Sequence, residues 1–487
     1  MKQSNCTVCL LAIIGAIFGS LCGAVAQPFA ARPAGRLLSL PMESNHAKNA
    51  AEQDSVLKSQ SRIGNAEMAN RVRREFLHAW NGYKQYAWGH DALKPLSKSY
   101  HDWHSVSLPM TPVDALDTMI LMGLNDEASA TREFVAKNLS FDHDLVVKNF
   151  EITIRILGGL LSTYQLTGDR RLLAFADDLG SRLLPVFDSP IGMPYMYVNL
   201  KTGAVRGAIT NPAEIGTLLI EFGKVGKLAG KPVYYDKAKK ALVEVYNRRS
   251  SIGLVGTWIN VETGVWTDST SHISGCIDSY YEYLLKCWRL FGDKDCERMW
   301  QSSIAALNQY VADAAPTGYW YGHVNMSTGK RVATTFGALD AFFPGMLALS
   351  GDLERARRLQ ESCYKMWTTF GIEPEELNYA TMKVTDGVYH LRPEIIESAY
   401  YLYHFTKHAR YLEMGRTFLE GLERYCRTET GYAALRNVET KEKMDEMESF
   451  FLAETLKYLY LLFAPEQTLE LSKTVFNTEA HPIRRTW

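Results

Sequence analysis

Residues 394–426 read EIIESAYYLYHFTKHARYLEMGRTFLEGLERYC, and this stretch decides the fold. Its first part, Glu394 to Phe405, is apolar on nearly every face at helical spacing. Its second part, Arg410 to Cys426, gathers apolar side chains on one face and charges on the other. A helix of the first kind is buried on all sides, whereas one of the second kind keeps a wet face. The short break FTKH (405–408) makes the pair an αα-hairpin, with an inner and an outer helix.

Working outward, the same pair recurs. Inner helices are predicted to begin near Glu151, Glu214, Asp278, Asp340, Glu394 and Glu448, at steps of 63, 64, 62, 54 and 54 residues. The preceding breaks are LTGD (166–169), LAGK (228–231), FGDK (291–294) and LSGD (349–352). Gly supplies the left-handed cap in each, and in three the next Asp caps the following helix. A helix over 65–86, followed by VDALDTMILMGL (113–124), adds a further pair and brings the total to about seven. One continuous repeat means one domain over 61–487, although length alone would allow about three. Inner helices this apolar imply an all-α ring, an (α/α) barrel around a central cavity. Loops of about 20–30 residues between repeats would form its rims, where function concentrates.

Most inner-helix starts carry an acid that would face one rim. Acids favour first turns because they complement the helix dipole, which explains any one of them. Their convergence on one cavity points further, to hydroxyl-rich ligands, a hard cation or general acid–base chemistry.

The rest of the chain sets bounds. Lys and Arg total 53 against 54 Asp and Glu, a net charge of −1, so no basic stripe suggests nucleic acid. A neutral substrate fits best. Lys2 precedes a small-and-apolar run from Cys9 to Ala26 that ends Ala24-Val25-Ala26. We read residues 1–26 as a cleaved export signal, the alternative being an uncleaved anchor, with no membrane contact after cleavage. Residues 27–60 lack periodicity and read as a linker or flexible N-terminus. Beyond the signal lie Cys276, Cys287, Cys296, Cys363 and Cys426, an odd number that leaves at least one thiol unpaired. Zincin, P-loop, Rossmann and serine-hydrolase motifs are absent. Glycosylation triplets stand at Asn138-Leu139-Ser140 and Asn325-Met326-Ser327.

Several strings then become recognisable. They are Phe150-Glu151-x-Thr153-Ile154-Arg155, Asp278-Ser279-Tyr280-Tyr281-Glu282-Tyr283, Leu391-Arg392-Pro393-Glu394-x-x-Glu397-Ser398, Glu448-Ser449-Phe450-Phe451-Leu452-Ala453-Glu454 and Phe476-Asn477-Thr478-Glu479-Ala480-His481. Together with Asp114-Ala115-Leu116-Asp117-Thr118 they resemble glycoside hydrolase family 47, the class I α-1,2-mannosidases, from about residue 70 onward. The resemblance implies an (α/α)7 barrel plugged by a C-terminal hairpin. It also implies inverting, calcium-dependent removal of terminal mannose from mannose-containing glycans or glycoproteins, by a monomer.

Residue by residue, Glu151 matches the family's general acid and Glu394 its base. Asp278 matches the third essential carboxylate, argued in the family to be acid or base itself. Arg155, at i+4, would hold Glu151. Thr478 matches the calcium ligand, through hydroxyl and carbonyl. Glu214, Glu397, Glu454 and Glu479 would hold waters or sugar, and Arg392 and Phe450 would line the pocket. Glu282 reads as a partner of Lys286.

Two departures stand out. The pocket histidine of many members is Ala338 here, and a disulfide cysteine is Ala341, which leaves Cys363 alone. Around these positions the chain looks more like the endoplasmic-reticulum degradation-enhancing mannosidase-like branch and bacterial members. A position that separates trimming specificities carries Cys276. A lectin-like protein, binding mannose glycans with calcium but without turnover, is the alternative function.

Overall fold

The computed structural model describes the backbone from residue 43 to 485 and the side chains from residue 65 to 485. The signal-peptide reading of 1–26 lies outside the described residues. The chain divides into two units, Met1–Lys58 and Ser59–Trp487. In the first, the described backbone is helical. The helix predicted over 65–86 begins at Glu43 and ends at Tyr86, so 43–60 is not the irregular linker its lack of periodicity suggested. Residues 47–57, AKNAAEQDSVL, are dominated by strong helix formers, and propensity does not require an apolar stripe.

The second unit is built as two rings of helical segments. The inner wall comprises residues 110–121, 149–167, 212–229, 278–291, 339–350, 394–406 and 451–463. The outer ring comprises Asn125–Asn138, Arg170–Leu183, Val233–Asn247, Lys294–Ala306, Leu353–Phe370 and Arg410–Tyr425, with residues 59–86 of the N-terminal helix as its seventh member. The pairing at the start differs from the sequence expectation. Residues 110–121 turn back onto Asn125–Asn138, and the N-terminal helix closes the outer ring. Trp80 and Lys84 donate to Glu127 on one neighbour at 2.9 Å, while Arg71 Nε donates to Glu423 on the other at 2.8 Å. Hairpin spacing cannot show which end of a repeat array completes a circle.

The turns follow the sequence closely. Gly168, Gly230, Gly292 and Gly351 all adopt the left-handed conformation, and Lys407 takes it where the fifth break has no glycine. Asp169, Asp293 and Asp352 cap the next helices, accepting from Arg171, Cys296 and Arg355 N–H at 3.1, 2.9 and 3.2 Å.

Short antiparallel strands, which the helical reading did not anticipate, stiffen the long-loop rim. Val146–Lys148, Ile209–Thr210, Thr270–Ser271 and Thr335–Gly337 each lead toward an inner segment and pair with the hairpin of the next loop. The tips share one device. Asn199, Asn260, Asn325, Asn378 and Asn437 each accept from backbone N–H groups two and three residues on, at 2.7–3.2 Å. The residue four beyond each is left-handed: Gly203, Gly264, Gly329, Met382 and Lys441. These Asx turns give each rim loop a fixed hairpin. One of the two glycosylation triplets, at Asn325, lies on such a tip.

A last hairpin, Thr474–Phe476 with Pro482–Arg484, enters the barrel, and its tip, 477–481, is almost wholly buried. His481 joins Asp117 at 2.7 Å and Asp114 at 3.0 Å, and Lys457 joins Asp117 at 2.7 Å. All four are fully buried. Asn477 Nδ2 donates to the Ile154 carbonyl at 2.9 Å and to Glu221 at 2.8 Å.

Candidate active site

Inside the ring, above the hairpin tip, lies a cavity of about 330 Å³. Every site residue expected from sequence lines it: Glu151, Arg155, Glu214, Asp278, Arg392, Glu394, Glu397, Phe450, Glu454, Thr478 and Glu479.

Glu151 stands in the first turn of its helix, and residues 153–157 then widen into a π-helical turn. Such turns re-aim side chains and recur at functional sites. This one carries Arg155, whose Nε and Nη2 donate to Glu151 Oε2 at 3.1 and 3.0 Å, while Nη1 reaches Glu479. Burial opposes the charge of Arg155, but Glu479, Glu151, Asp114 and Glu454 more than offset it and hold the guanidinium protonated. A second π turn, 451–455, carries Glu454 into the same space. The Phe450 ring lies 5.6 Å from the Arg155 guanidinium and 5.8 Å from that of Arg392.

Glu214 is placed by a capped start. Asn211 accepts from its N–H at 3.0 Å, Pro212 opens the helix, and Thr210 Oγ1 donates to the carboxylate at 3.1 Å. Asp278 is placed by a tight turn in which Cys276 is left-handed and the Asp278 N–H reaches the Ser274 carbonyl at 3.0 Å. Its Oδ1 accepts from the Ser279 N–H at 2.7 Å, and burial still lifts its pKa to about 7.

Glu394 follows the Arg392-Pro393 corner, where Leu391 is left-handed and Arg392 is held by Glu375 at 2.6 and 3.1 Å. Burial raises Glu394 to about 8, with Arg392 opposing, and its Oε2 has no hydrogen-bond partner among the described residues. One turn on, Glu397 accepts from Tyr458 at 3.1 Å and lies 3.7 Å from Lys286; burial lifts it to about 7. Lys286 also pairs with Glu282, as expected, and Glu282 lines the cavity.

Thr478 and Glu479 form the floor. Burial pushes Glu454 and Glu479 well up, helped by Glu479 beside Glu454 and by Asp114 beside Glu479, with Arg155 opposing both. The donor set around Thr478 is all oxygen and strongly acidic, the chemistry a hard cation requires. Among the described residues no three His, Cys, Asp or Glu side chains converge as direct ligands, so a cation here would be held by Thr478 and largely by waters.

Two inner-helix acids do not join this wall. Asp340 is buried behind it, accepting from the Gly337 N–H at 2.9 Å, because the chain there coils through a short 3-10 turn. Glu448 sits on the rim and accepts from Trp103 Nε1 at 3.1 Å. Ala338 is wholly buried, and Leu339 and Phe342 form the adjoining wall with Gly275 and Cys276. Among the described residues, the five cysteines, Cys276, Cys287, Cys296, Cys363 and Cys426, are all free. Sequence reading missed Lys148 in the lining and gave no role to the buried Asp114, Asp117, Lys457 and His481. Lys148 is just two residues before the recognised string, but nothing in its spacing marks it.

Comparison with known proteins gives the family and the fold. The sequence pattern of glycosyl hydrolase family 47 matches residues 75–485. "Alpha-mannosidase I MNS5" of Arabidopsis thaliana is 37% identical over 447 residues, covering 86% of this chain and 77% of that protein. "ER degradation-enhancing alpha-mannosidase-like protein 2" of Mus musculus is 38% identical over 455 residues, covering 86% and 78%. The α-1,2-mannosidase of Trichoderma reesei superposes with a TM-score of 0.79 at 29% identity, over 86% of this chain and 99% of that one. This chain belongs to glycosyl hydrolase family 47.

Proposed function

We propose that the protein is a calcium-dependent, inverting exo-α-1,2-mannosidase that releases terminal mannose from mannose-containing glycans. The observation that carries this reading is the meeting of Asp278, Glu394 and Glu151, from three different inner helices, over Thr478 in one cavity. An inverting glycosidase needs an acid and a base on opposite sides of the sugar, with room for water between them. Carboxyls on separate helices around a ring can leave that room, whereas neighbours on one helix cannot.

Glu394 is the base in this scheme, with Arg392 beside it favouring the ionised form. For the acid, the candidates are Glu151, which the resemblance implies, and Asp278. Burial raises Asp278 to about 7 and Glu394 to about 8, so proton affinity alone does not divide the two roles, and geometry with bound sugar decides them. Glu151 is oriented for its part by Arg155 on one oxygen and by Lys148, 3.7 Å from the other. Thr478 would hold calcium through its hydroxyl and carbonyl, with Glu214, Glu397, Glu454 and Glu479 receiving its waters. A cation held there would supply coordination to sugar hydroxyls and so help to orient the ring. Residues 1–26 would direct the protein out of the cytosol, toward glycans.

The test is mannose release from α-1,2-mannobiose with and without a calcium chelator, and with Glu394→Gln. Calcium-dependent release that Glu394→Gln abolishes is expected. Calcium-dependent binding of the disaccharide with no release would overturn the hydrolase reading in favour of a mannose-binding protein.

A further inference from the structure

The cavity has three cations in its lining, and they are not equivalent. Arg155 is committed to Glu151 and Glu479, and Arg392 to Glu375. Their side chains are 10% and 20% exposed. Lys148 is 35% exposed and stands on the strand that leads from the rim into the Glu151 helix. Its Nζ lies 3.0 Å from Glu214 Oε1 and 3.7 Å from Glu151 Oε1. An ammonium has three donors, and only the shorter of these contacts is a full hydrogen bond. At least one N–H is therefore free to meet a ligand at the cavity mouth.

Part of the wall beside that mouth offers no side-chain donor stronger than a thiol. The neighbouring wall is Gly275, Cys276, Leu339 and Phe342. Thr478 and the buried acids occupy the floor, where a terminal sugar would sit. The next sugar, the leaving group, would lie toward the rim, beside Lys148. Besides acids, the lining offers the neutral donors Asn211, Ser279 and Thr478 and two arginines already committed to carboxylates, which leaves Lys148 as the cation able to donate there.

We infer that Lys148 binds the leaving sugar, donating a hydrogen bond to a hydroxyl of the penultimate residue while bridging Glu151 and Glu214. The inference rests on the mannosidase reading of the cavity. It makes Lys148 a specificity residue: it distinguishes a disaccharide from mannose alone and does not act on the bond being broken. A charge-assisted hydrogen bond of this kind is worth about 10- to 100-fold in affinity.

The experiment uses the full chain carrying Glu394→Gln, to prevent turnover. Calorimetry measures mannose and α-1,2-mannobiose binding in calcium, with and without Lys148→Met and Lys148→Arg. Lys148→Met is expected to cut mannobiose affinity about 10- to 100-fold and leave mannose affinity within about 2-fold, with Lys148→Arg recovering part of the loss. With Glu394 intact, Lys148→Met should raise KM for mannobiose more than it lowers kcat. Parallel loss of both sugars would mean that Lys148 only holds the two glutamates in place, and would overturn the inference. So would an unchanged preference for mannobiose. Because binding is read without hydrolysis, a protein that never releases mannose sinks the enzymatic reading but leaves this comparison able to decide the role of Lys148.

Discussion

Arg155 donates two hydrogen bonds to a single oxygen of Glu151, at 3.0 and 3.1 Å, from one helical turn away. The same guanidinium reaches Glu479 on the C-terminal hairpin and lies 5.4 Å from the Trp103 ring on the first rim loop. It thus ties one wall of the cavity to its floor and its mouth. Arg155→Lys keeps the charge but loses the planar fork. We expect kcat/KM for mannobiose to fall about 100-fold, since a misplacement of about 1 Å in a positioned group costs that much. Near-normal kcat/KM in a folded variant would show that the fork is dispensable.

The buried acids make stability depend on pH in a defined direction. Burial lifts Asp278, Glu394 and Glu397 to about 7, 8 and 7, against about 4 in an unfolded chain. Between pH 4 and 8 the folded protein therefore binds more protons than the unfolded one, and stability falls as pH rises. His481 acts in the same direction. Burial opposes its charge, yet Asp117 and Asp114 raise it to about 9, so its stabilisation is full below about pH 6.5 and lost toward 9. Asp117 has the opposite sign, but its pKa of about 2 confines the effect to acid below pH 4. Chelator-treated protein should melt at a higher temperature at pH 5.5 than at pH 8; a flat or rising profile would contradict this placement of the acids.

The hairpin plug depends on a buried charge cluster. Removing one member of such a cluster costs about 3–5 kcal/mol, because the remaining charge stays buried and unpaired. Lys457→Met, beside Asp117, should lose that much in denaturant unfolding. Gly158→Ala should act by shape alone, since its Cβ would lie 2.6 Å from Asn477 Nδ2 and 2.9 Å from the His481 ring. Wild-type stability in both variants would mean that the hairpin does not seat as described.

Calcium should raise the melting temperature, by about 2.7 kcal/mol of stability at a hundredfold excess over its Kd. Thr478→Val removes the hydroxyl but keeps the shape, and should abolish most of that shift while the chelated proteins melt alike. An undiminished shift would place the ion elsewhere.

The legible part of this molecule was whatever repeats locally. Gly168, Gly292 and Gly351 with their following aspartates marked three hairpins because cap chemistry is set by residues a few positions apart. The apolar run from Glu394 gave its helix away as an inner one because burial on every face leaves no polar stripe. The rim hairpins escaped notice, although Asn199, Asn260, Asn325, Asn378 and Asn437 all begin the same Asn-x-x-Thr turn, because strands of two to four residues carry too little alternation to be read.

By itself, then, the sequence determined the helices, their inner and outer character, the closed repeat and the strings that carry the candidate site residues. Only the tertiary structure decided that the N-terminal helix completes the outer ring, that Asp340 and Glu448 stand apart from the cavity while Lys148 joins it, and that burial lifts Asp278 and Glu394 toward neutral pH. The physical reason is range. Caps and amphipathic faces are fixed by neighbours along the chain, whereas ring closure, desolvation and the approach of Lys148 to Glu214 depend on groups that only the folded barrel brings together.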